Sequence, residues 1–152
     1  MQPMNPTYLM ETPTSDERGS YLTLDMGGSH IRVCEVVLEG KGQAHVSARK
    51  FDLPDGLKSG SAEELWDHMA GCVAEFVEQE QSKRKKEDKQ LLSFTFSFPV
   101  TQSAINSGVL QRWTKGFDVS GVEGHDVVEQ FEGALKRKVC RCAIINLSRL
   151  SN

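Results

Sequence analysis

Apolar and polar residues alternate most cleanly in "LLSFTFSFP". Leu92, Phe94, Phe96 and Phe98 fall on one side of an extended chain, and Ser93, Thr95 and Ser97 fall on the other. The segment reads as a strand ended by Pro99. Earlier, "YLTLDMGGSHIRVCEVVLEGKG" holds two β-rich runs around a Gly-Gly turn, a hairpin signal. "AHVSARKFDLP" reads as a third strand, closed by Pro54. Helical spacing takes over after Ser61. Leu65, Met69, Cys72, Val73, Phe76 and Val77 make one apolar face, and Ser61 with Glu64 forms a capping box. Asp126 can cap a second helix, "VVEQFEGALKRK", with Glu129 as its box partner and a basic end that suits the helix dipole. "VCRCAIIN" is the last strand. A loop-rich insertion is expected through "VTQSAINSGVLQRWTKGFDVSGVEGH", and residues 1–20, rich in Pro, Thr and Ser, read as an irregular lead-in.

The order is therefore β-β-β-α-β-α-β, which predicts an α/β sandwich with its later strands parallel to the first. The chain's 152 residues suffice for one domain with a real core. With 38% hydrophobic and 26% charged residues and a net charge of −3, the composition gives no reason to expect a nucleic-acid or membrane surface. No apolar run approaches the roughly 18 residues of a membrane span. The first twenty residues lack the basic start and hydrophobic stretch of a secretory signal. Cys34, Cys72, Cys140 and Cys142 fit reduced thiols in the cytosol. "CRC" lacks the paired spacing or His partner that zinc requires. The basic cluster Lys83 to Lys86 is flanked by Glu and Asp, so it reads as a solvated loop sooner than as a nuclear localisation signal.

Two segments carry candidate chemistry. In "LDMGGSHIR" a strand ends at Asp25 and turns on Gly27 and Gly28. Without Cβ atoms these glycines let backbone N–H groups approach a phosphate. Ser29 adds a hydroxyl, and Asp25 could hold a magnesium ion through water. The same pattern also fits a plain hairpin turn. In the second segment, Ser97 sits at the end of an apolar strand. Thr114 and Lys115 lie between Trp113 and Gly116-Phe117, where a lysine could meet a sugar hydroxyl or neutralise a phosphate. Read alone, the segment fits a core Trp beside a surface Lys better, since exposed Lys is the usual case.

Together the two segments resemble the hexokinase and glucokinase family of ATP-dependent sugar kinases. "LDMGGSHIRV" is similar to that family's first phosphate motif. "FTFSFPVTQ" followed by "GVLQRWTKGF" is similar to its sugar-binding signature. "SAEELWDHMA" and "VEGHDVV" resemble the fungal branch. The resemblance runs from about Pro3 to Asn146 and implies the small domain of a ribonuclease-H-like, actin-like sugar kinase fold. It implies that Asp25, Gly27, Gly28, Ser29 and Arg32 serve ATP phosphate, and that Ser97, Thr114, Lys115 and Asn146 contact a hexose such as glucose. ATP with magnesium would be the cosubstrate.

Three departures stand out. Ser29 replaces the usual Thr, and His30 the usual Asn. After Asn146 the family continues with the Asp that acts as general base, but here Leu147 follows, and no carboxylate occurs after Glu132. The expected layout is thus a lead-in over residues 1–20, a small domain over 21–146 and a non-family tail over 147–152. An inactive fragment, a sugar-sensing module, and a chain active only with a partner supplying the large domain all remain open. The family completes this domain with further helices. Large side chains among Leu22, Leu24, Phe94, Phe96, Phe98, Ile144 and Ile145 are therefore expected to lie uncovered, inviting self-association or a chaperone.

Overall fold

In a computed structural model the alternating segments form a five-stranded mixed sheet backed by two helices. The structure describes residues 12–80 and 91–138, together with the backbone of Gln81, Gln90 and 142–148. Strands β1 (Arg18–Met26), β2 (His30–Gly40) and β3 (Gln43–Asp52) form an antiparallel meander. After a short 3-10 turn at Asp55–Lys58 comes helix α1 (Ala62–Gln81). Strand β4 (Gln90–Phe96) returns parallel to β1, and β7 (Cys142–Ser148) lies parallel to β4. The spatial order is β3-β2-β1-β4-β7. The sheet and both helices thus follow the predicted order, with β1 starting at Arg18 and β7 reaching Ser148.

One segment differs. Where a loop-rich insertion is expected, the chain forms a second, two-stranded sheet, β5 (Val100–Ala104) and β6 (Ser107–Leu110). Helix α2 (Val127–Arg137) follows, and its cap explains why the hairpin is held. One oxygen of Asp126 accepts the N–H groups of Val128 and Glu129, while the other accepts the Ser107 hydroxyl at 2.6 Å and the Gly108 N–H at 3.1 Å. A single carboxylate therefore satisfies a helix start and a strand together.

At α1 the predicted capping box forms. The Ser61 N–H and hydroxyl donate to Glu64 Oε2 at 2.9 and 2.8 Å, and the Glu64 N–H returns to Ser61 Oγ at 3.3 Å. Both helices cover the same face of the sheet. Trp66 of α1 and Phe131 of α2 have ring centres 5.9 Å apart, and Phe94 of β4 lies 5.1 Å from Phe131. The Trp66 indole N–H donates to Gln130 of α2, so its polar edge is satisfied inside this layer.

This arrangement corrects the expectation of uncovered side chains. Leu22, Leu24, Phe94, Phe96 and Phe98 are all buried, because both helices lie on the face that these residues occupy. The side chains of Ile144 and Ile145, like the Lys83 to Lys86 cluster and Cys140, lie outside the described residues. The opposite face of the sheet is small and polar at its centre, where Ala48, Cys34, Thr23 and Ser93 share one rung. Among the described residues no helix is long and apolar enough to cross a membrane.

Candidate functional site

The sheet sends β1 and β4 to the same edge, and both candidate segments begin there. After Met26 the chain turns at once into β2, and the Gly27 N–H closes the turn on the His30 carbonyl oxygen at 3.1 Å. The Leu53 N–H, donating to the Ser29 carbonyl at 3.2 Å, ties this turn to the end of β3. Asp25 pairs with Arg32 on β2 and with Thr95 on β4. Its Oδ1 is buried and has no hydrogen-bond partner. A carboxylate oxygen in that state calls for a donor or a hydrated cation. Asp25 is therefore the residue that fits a hydrated magnesium ion.

The second segment is built on stacked aromatics. Phe98 follows β4, with Trp113 edge-on at 4.8 Å between ring centres and Phe117 at 5.0 Å, while Trp113 and Phe117 stack at 5.3 Å. The Trp113 indole N–H donates to the Val119 carbonyl at 2.9 Å, and its backbone N–H donates to Glu123 Oε1 at 2.5 Å. Between these anchors the backbone reverses through Lys115 (φ 58°) and Gly116 (φ 78°), a left-handed pair closed by the Phe117 N–H on the Thr114 carbonyl. Lys115 pays for its unusual φ with a place over the aromatic platform, its Nζ 5.4 Å from the Phe98 ring centre. That ammonium donates to the Ser97 carbonyl oxygen at 2.8 Å. Two of its three protons remain for other acceptors.

The two segments meet at one contact. A Cβ placed on Gly28 would lie 3.7 Å from Lys115 Cδ and 3.8 Å from Lys115 Cβ. The lysine thus runs past the Gly-Gly turn on its way to Ser97. Asp25, Gly27, Gly28, Ser29, Ser97, Thr114 and Lys115 are gathered at this edge of the sheet by β1, β4 and the turn at 114–116. Arg32 starts from the same rung as Asp25 and is exposed. Asn146 lies on β7 opposite Ser93, with Leu147 opposite Phe94, and their side chains lie outside the described residues.

Some of the site carried no sequence signal. Glu123, flanked by Val and Gly, has no periodicity to mark it as the acceptor that holds Trp113. The Ser29 hydroxyl lies 2.7 Å from His30 Nδ1, a contact that the adjacent positions permit but do not announce.

Comparison with known proteins gives the family. The family model described as Hexokinase matches residues 1–149. The chain belongs to the hexokinase family. A hexokinase of Emericella nidulans is 47% identical over 137 residues, which are 90% of this chain and 28% of that protein. Hexokinase-1 of Saccharomyces cerevisiae is 42% identical over 147 residues, covering 95% of this chain and 30% of that protein. Among solved structures, a Schistosoma mansoni hexokinase complexed with glucose superposes with a TM-score of 0.84 at 38% identity, covering 94% of this chain and 32% of that one. The fold is therefore that of an actin-like sugar kinase, and the chain spans about three-tenths of the length of these relatives.

Proposed function

We propose that this chain supplies one wall of the sugar site and the first phosphate turn of an ATP-dependent hexose phosphotransferase acting in the cytosol. The observation that carries this reading is Lys115, which lies against Gly28 of the phosphate turn while its ammonium bonds the Ser97 carbonyl of the sugar segment. Ser97, Thr114, Lys115 and Asn146 would hold the hexose. Gly27, whose own N–H closes the turn on the His30 carbonyl, would shape the phosphate turn, while the Gly28 N–H, the Ser29 hydroxyl and Arg32 would face an ATP phosphate, with Asp25 holding magnesium through water. Bound Mg-ATP would supply the phosphoryl group. The glucose bound by the Schistosoma mansoni relative supports a hexose as the ligand.

Phosphoryl transfer depends on positioning, charge and a carboxylate that takes the hydroxyl proton. In these 152 residues Leu147 stands where the family carries that carboxylate. We therefore propose that the chain, taken alone, binds but does not turn over, since a general base contributes about 10²–10⁴ in rate. Incubation of the full chain with ATP, magnesium and glucose, followed by a glucose 6-phosphate assay, tests this. Product at background level is expected. Turnover at an ordinary kinase rate of roughly 1–100 per second would reject the non-catalytic reading.

A further inference from the structure

We infer that His30 is a positioning residue for the phosphate turn: through its contact with Ser29 it sets whether that hydroxyl can donate to a bound anion, so that one proton on the imidazole tightens anion binding. This inference rests on the reading of Gly27 to Ser29 as a phosphate site.

The geometry comprises three side chains joined by two successive contacts. Ser29 Oγ lies 2.7 Å from His30 Nδ1, and His30 Nε2 lies 3.7 Å from Asp52 Oδ1. A carboxylate beside Nε2 favours a proton on that nitrogen. In the neutral ring Nδ1 is then a bare lone pair, and the 2.7 Å contact is satisfied when the Ser29 hydroxyl donates into it. The single hydroxyl proton is committed within the turn, and an anion there meets the lone pairs of Ser29 Oγ in place of its proton. On the imidazolium, Nδ1–H donates to Ser29 Oγ instead. The hydroxyl proton is released toward the anion, and the ring adds a positive charge.

Other charged and titratable groups border these contacts. From β3, Asp52 faces the ring directly. From α1, His68 Nε2 lies 3.3 Å from the Asp52 carbonyl oxygen, with the Cys72 thiol 3.8 Å from the same nitrogen. Lys115 lies against Gly28, and the rung behind the turn carries Asp25, Arg32 and Lys50. His68 is the second histidine in the neighbourhood, so it must be separated experimentally from His30.

The test uses the full chain and sulfate, an anion whose charge is constant across the histidine range. Amide shifts of Gly27, Gly28 and Ser29 are followed by NMR at pH 5.5 and pH 8.0 at fixed ionic strength. Charge-assisted hydrogen bonds being about twice as strong as neutral ones, binding about tenfold tighter at pH 5.5 is expected. The difference should vanish in His30→Asn and persist in His68→Asn. Independently, long-range nitrogen spectra of the unmodified protein at pH 8.0 should give His30 as the Nε2–H tautomer. Equal affinity at the two pH values, a difference that survives His30→Asn, or an Nδ1–H tautomer would each overturn the inference and leave the phosphate site standing. Sulfate that moves no amide of the turn at either pH would overturn the phosphate reading and this inference with it.

Discussion

Lys115 runs alongside Gly28, close enough that a methyl group on the glycine would touch its Cβ and Cδ at 3.8 and 3.7 Å. These are ordinary van der Waals distances. Gly28→Ala should therefore fold normally, with a stability change within about 0.5 kcal/mol of zero. A branched side chain has no such room. Gly28→Val should push the lysine off the turn and break its bond to the Ser97 carbonyl. Amide shifts at 97–98 and 114–116 report this directly. A Val variant with unchanged shifts there would show that the two segments are not in contact.

Glu123 holds the entry to the lysine turn by accepting the Trp113 backbone N–H. Glu123→Ala should leave that N–H without an acceptor and cost about 1–3 kcal/mol. Glu123→Gln keeps a carbonyl oxygen in place and should recover most of the loss. Urea denaturation of both variants measures this, together with the Lys115 amide shift as a local readout. Equal losses for Ala and Gln would mean that the charge, and not the acceptor, is what the turn requires.

The fold was largely legible because its signals are local. Leu92, Phe94, Phe96 and Phe98 alternate over a short span and are all buried. Ser61 and Glu64 announce their helix from three residues apart, and the cap is present. The β5–β6 hairpin was not legible. Thr101, Gln102 and Ser103 are polar on both sides, so periodicity is lost, and the strands are held instead by Asp126 from the start of α2. The site was legible only as two separate motifs. The element order predicts β4 parallel to β1, but that the two are direct neighbours, and so that the motifs meet at Gly28 and Lys115, is a tertiary fact with no local signature.

Phe131 is fully buried between Trp66 and Phe94, and it joins both helices to the sheet. Phe131→Ala should cost about 3–5 kcal/mol. Against a total stability of roughly 5–15 kcal/mol, that loss should shift the urea midpoint strongly. A loss under about 1 kcal/mol would contradict the packing described, since burial of such a ring is worth more than that even without a cavity.

The Ser61 backbone N–H, and then its hydroxyl, hold the Glu64 carboxyl below its ordinary value of 4.5. A folded-state value lowered in this way stabilises the helix start at pH above 4.5, and the contribution fades as pH falls through the lower folded value. The Ser61 amide resonance should therefore titrate below the ordinary glutamate range, and α1 should fray first at this end in acid. Glu64→Gln should abolish the titration. A Ser61 amide that titrates at or above pH 4.5 would contradict the cap.

The central claim is that the turn at Gly27 to Ser29 and the segments at Ser97 and Thr114–Lys115 form one hexose and phosphate edge. Titration of the full chain with glucose, read residue by residue in amide NMR spectra, tests it most directly. On the proposed reading these 152 residues, taken alone, offer one wall of the site, so the sugar should keep much of its water and bind with a dissociation constant of about 1 mM or weaker, near −4 kcal/mol. The amides of 97–98 and 114–116 should move first, and Ser97→Ala combined with Lys115→Ala should abolish the response. Micromolar binding that survives the double substitution, or saturable shifts confined to other parts of the sheet, would contradict the account.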